Sequence, residues 1–153
     1  MSAEVLSPNT LEAIKSQLPP HLQRYLMTNI NPYGMGLWAQ LHCYGAAFSL
    51  YTQNLDGYVR VEQTIQREGT PDIRVIPQLL EECFSETPTS RFGDIAIWYA
   101  NSIHIHGGIF VGTQNNGEPL IASKENIGDY PLIIDTEQSI TDAYAVPTHV
   151  QYY

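Results

Sequence analysis

The sequence predicts one α+β domain, with N-terminal helices packed on a C-terminal antiparallel β-sheet. Apolar residues in the first half recur at helical spacing. The last sixty residues instead break into short β-branched and aromatic runs separated by turn signals. The 153-residue length and the 43% hydrophobic and 15% charged fractions fit a single folded core. The expected division places the helical part at about residues 1–90 and the sheet part at about 91–153.

Taken in order, Pro8-Asn9-Thr10 caps a helix over LEAIKSQL, which Pro19-Pro20 ends. HLQRYLM is expected to form a second short helix. The loop Asn31 to Gly36, which carries two glycines, leads to LWAQLHCYGAAFSLY. From Cys43 the less polar positions 43, 46, 47, 50 and 51 trace one helix face, so Cys43 falls in the first turn. Residues 54–71 are polar and give no clear element; a further helix is expected from about Ile76 to Phe84. The strand-like runs IAIWYA, IHIHGGIFVG, PLIASK, YPLIID and AVPTHVQYY follow, with turns at Asn115-Asn116-Gly117 and Gly128-Asp129.

Sixteen acidic against seven basic residues give a net charge of -9. This argues against nucleic acid or an anionic membrane as partner, since both need a basic surface. The N-terminus lacks the basic start and apolar stretch of a signal peptide, and no run is long enough to span a membrane. The expected location is the cytoplasm, or export by a signal-peptide-independent secretion system. Both cysteines are then read as thiols rather than as a disulfide.

Of the two, Cys43 has the better setting for a reactive thiolate, because a helix N-terminus offers unpaired N–H groups and a favourable dipole. It is expected to be partly exposed there. Cys83 falls within the apolar stripe of its helix, near the C-terminal end, and is read as a small buried hydrophobe. A histidine brought within hydrogen-bond reach of Cys43 completes a nucleophile–base pair. His106, followed by glycines that allow close approach to its strand, is the candidate.

These residues stand in an ordered set. Cys43-Tyr44-Gly45 opens a helix, Gly93-Asp94 precedes the strand Ile95-Ala96-Ile97-Trp98, and His106-Gly107-Gly108-Ile109-Phe110-Val111-Gly112 follows on the next strand. Over about residues 40–125 the chain resembles the NlpC-type branch of the papain-like cysteine peptidases and amidases. The resemblance implies a papain-like fold and a cysteine hydrolase in which Cys43 attacks a carbonyl carbon and His106 shuttles the proton. It also implies a peptide or protein amide as substrate, with peptidoglycan peptides as the family's usual target, and no cofactor. A recycler of wall fragments and a secreted effector both fit.

The family also places a polar residue on the following strand to orient the imidazole. The aligned position here is Ala122, and Asn126 is the preferred substitute, with Ser123 and Glu125 as alternatives. His42 and Tyr44 replace the family's Asp and Ser beside the cysteine. An oxyanion hole would use the Cys43 backbone N–H, with Gln40 or His42 as second donor. Two other readings remain. One is a catalytically inactive binding module on the same fold. The other is a metal-binding protein built on His104 and His106, which strand alternation would put on one face. Asp94 is read as a turn residue bonding local backbone N–H groups.

Overall fold

The structure, a computed structural model, describes residues 8–18, 20–23, 26, 43–44, 46–47, 85–87, 91–125 and 130–153. Helix α1 spans Pro8–Gln17 and the short α2 spans Pro20–Gln23. Residues 43, 44, 46 and 47 are also helical, as the apolar spacing expects. The expected helix from Ile76 to Phe84, the Asn31 to Gly36 loop and the polar stretch 54–71 lie outside the described residues.

Five strands form one antiparallel sheet: β1 (Ile95–Ala100), β2 (Ile103–Thr113), β3 (Pro119–Lys124), β4 (Leu132–Thr136) and β5 (His149–Tyr152). They lie in the order β4-β3-β2-β1-β5. The α+β class is therefore the observed one. Sequence-adjacent strands pair as hairpins from β1 to β4, and the last strand returns to the far edge beside β1. Asn101 and Ser102 both take left-handed φ values, 51° and 65°, making the tight β1–β2 turn. Gly117 closes the next turn at φ 84°, a conformation that costs glycine nothing. The expected Asp94 turn is present, with the carboxylate accepting from the Arg91 N–H at 2.7 Å.

A fourth stretch, Glu137–Asp142, forms helix α3, where the sequence patterns predict no element. Its local signal is Thr136, whose side chain accepts from the Ser139 N–H at 3.0 Å as an N-cap.

The two faces of the sheet bury different things. On one, Ile95, Ile97, Ile109, Val111, Leu120 and Leu132 join Ile14, Leu18 and Leu22 of the N-terminal helices and Ala46 and Ala47 of the Cys43 segment. On the other, Ala96, Trp98, Phe110 and Ile121 form a smaller cluster beneath α3, with Ile140 and Tyr152 at its edge. The Trp98 indole N–H donates to Thr141 at 3.0 Å, and the Tyr152 hydroxyl donates to Glu137, so α3 is tied to this second face.

Candidate functional site

Strand β2 sets the site because it is irregular. His106 pairs with Trp98, but His104 pairs with Tyr99, the very next residue of β1. Ile105 is the extra residue of a β-bulge. Neighbouring residues of a strand point to opposite faces, so the bulge sends the two histidines apart. His106 lies against the Trp98 ring at 5.2 Å between centroids, on the second face. His104 bonds the Tyr44 hydroxyl through Nδ1 at 2.7 Å, on the first. The expectation that both project to one face is thus corrected: regular alternation ignores the inserted residue. Among the described residues no group of three potential metal ligands gathers.

His106 is buried, 6% exposed, and no described side chain hydrogen-bonds its imidazole. Burial pushes its pKa down to about 4, so the ring is neutral at pH 7. It opens into a cavity of about 320 Å³ between the second face and α3. Ser123, Glu125, Asp135 and Tyr144 also line that cavity, and Ile133 and Ile140 supply aliphatic wall. Ser123 lies beside Gly108, its Cβ 3.2 Å from where a Cβ on Gly108 would sit, and Glu125 follows just after the end of β3. Two of the three candidates for the orienting residue therefore share the His106 cavity. The preferred one, Asn126, lies outside the described residues, as do Cys83, Gln40 and His42. Asp135 and Tyr144 were missed by sequence reading, because only the packing of α3 over the sheet turns them towards His106.

Cys43 is not disulfide-bonded. The expectation of a partly exposed thiol is corrected: Cys43 is 9% exposed, drawn in with its neighbours Ala46 and Ala47 as they enter the first cluster. Next to it, Tyr44 lies over Gly107. A Cβ on Gly107 would sit 2.7 Å from Tyr44 Cδ1, so only glycine admits the ring without a shift. The Cys43 segment and the His106 strand thus touch through their adjoining residues.

Tyr144 adds a second link. Its ring lies 6.1 Å from that of His106 between centroids. Its phenol is raised to about 12, by burial and then by the negative charge of an ionised Cys43. Burial and then the same charge push the Tyr44 phenol well above its usual range.

No family model matches the chain, and neither a curated protein nor a solved structure does.

Proposed function

We propose that the chain is a papain-like cysteine hydrolase, an amidase or peptidase in which Cys43 is the nucleophile and His106 the general base. The observation that carries this reading is the buried, neutral His106 opening into a cavity beside a strand glycine on which the Cys43 segment rests. A neutral imidazole has a lone pair for the thiol proton. In the reaction the Cys43 sulfur attacks the amide carbonyl and its proton passes to His106. The protonated imidazole then donates to the departing amine, leaving a thioester. Water, deprotonated by His106, cleaves that thioester and restores the thiol.

The substrate class is a peptide or protein amide, and peptidoglycan peptides are included through the family resemblance. Ser123 and Glu125 are the described candidates for fixing the imidazole, by their shared cavity. An inactive binding module on the same fold is the second reading, favoured by the burial of Cys43.

The two are separated by acylation with p-nitrophenyl acetate, followed by peptide mapping in a mass spectrometer. The hydrolase reading expects acetyl on Cys43 in preference to Cys83, with turnover releasing it. In His106→Ala acylation should slow about a hundredfold or more, the range usual for a lost general base. Acetylation that is absent, or equal at the two cysteines and indifferent to His106→Ala, would overturn it.

A further inference from the structure

The His106 cavity has a marked chemical character. Glu125 and Asp135 bring two carboxylates to it, and among the described residues no lysine or arginine lines it. His106 and Ser123 are more than nine-tenths buried, at 6% and 7% exposure. Neither side chain hydrogen-bonds another described residue, and their polar atoms are open to the cavity rather than sealed in the core. Both line the cavity, so their side-chain donors and acceptors are available to whatever fills it. Asp135 is held in place by the Thr136 N–H at 2.8 Å and the Ser139 hydroxyl at 2.9 Å, each on a different oxygen, which leaves further lone pairs for a ligand. Glu125 is exposed at the mouth.

We infer that this cavity binds an alkylammonium group of the substrate, the ammonium lying between the carboxylates of Glu125 and Asp135 with the Ser123 hydroxyl as a further acceptor. An ammonium has three donors and no acceptor, which matches a wall of carboxylates and a hydroxyl. The neutral His106 does not repel it. Ile133 and Ile140 offer apolar wall to the methylenes, and about 320 Å³ is in the range of small-ligand sites. Resting on the reading of Cys43 and His106 as an acyl-transfer pair, this makes the preferred substrate an amide with a lysine-like amine near the scissile bond.

The test is calorimetric titration of the full chain with cadaverine, a five-carbon diamine, against pentanol and glutarate as neutral and anionic controls. Saturable one-to-one binding of cadaverine alone is expected. Glu125→Gln should weaken it about fivefold, the effect of losing one partly exposed ion pair. Ser123→Ala should also weaken it, by a smaller factor. Because a chain of net charge -9 attracts any amine, Glu12→Gln on α1, an exposed position, makes the same charge change away from the cavity and should leave the affinity unaltered. Cadaverine binding no tighter than pentanol, or equal weakening by Glu12→Gln and Glu125→Gln, would overturn the inference. Saturable binding without Cys43 acylation would keep the pocket and remove the hydrolase; acylation without binding would do the reverse.

Discussion

The two faces of the sheet are built on different terms. The first is closed with aliphatic side chains from helices, strands and the Cys43 segment, and Ile95, Ile97 and Ile109 are fully buried there. The second is covered by a six-residue helix, held by single hydrogen bonds and leaving a cavity beside it. One face stabilises the fold, and the other leaves polar side chains at the disposal of a ligand. Truncation should separate them. Ile109→Ala removes a fully buried side chain from the closed face and should cost about 4 kcal/mol. Ile140→Ala, on the half-buried cavity wall, only widens an existing space and should cost about 1 kcal/mol. Urea denaturation of the two variants measures the contrast, and equal losses would break it.

The second face should also carry a pH signature that the first lacks. His106 has a pKa of about 4 in the fold against 6.5 ordinarily. Between those values the unfolded chain binds a proton that the native state does not. The stability this supplies is complete above about pH 6.5 and is lost as pH falls through 4, a change of about 3 kcal/mol. His106→Phe should remove that part of the pH dependence. The comparison is the wild-type minus variant unfolding free energy across pH 3.5–8, since titrating carboxylates act alike in both. A flat difference would mean that the imidazole takes up its proton in the fold as readily as in the unfolded chain.

How much of this was legible follows the same division. The strands β1, β2 and β3 were readable within a residue or so, because alternation and turn residues such as Asn116 and Gly117 are local signals. The elements that carry Cys43 and His106, a helical segment and strand β2, were readable too, since apolar spacing and alternation are local. The bulge at Ile105 was not, because a one-residue slip is decided by pairing with β1 and leaves no mark on alternating apolar residues. It cost the shared face of His104 and His106. Helix α3 is only six residues long and buries none of them fully, so it carries no strong apolar stripe. With it went Asp135 and Tyr144, whose place beside His106 is set by tertiary packing alone.

Where the two faces come nearest to communicating is Gly107, which turns to the first face while His106, one residue earlier, turns to the second. Gly107→Ala would put a methyl carbon 2.7 Å from Tyr44 Cδ1 and 3.4 Å from Ile97 Cδ1. The Tyr44 ring is anchored by its bond to His104, so the ring and the Cys43 backbone next to it must shift together. The expected cost is about 2 kcal/mol, the ordinary price of overpacking. Tyr44→Leu in the same chain should relieve part of it, giving a coupling of about 1 kcal/mol in a double-mutant cycle. Acylation of Cys43 should fall in Gly107→Ala by more than the stability loss explains, because a shift of Tyr44 carries the adjoining Cys43 with it relative to His106. If Gly107→Ala lowers stability but leaves the acylation rate of the folded protein intact, the contact between Tyr44 and Gly107 is only packing, and the two faces work independently.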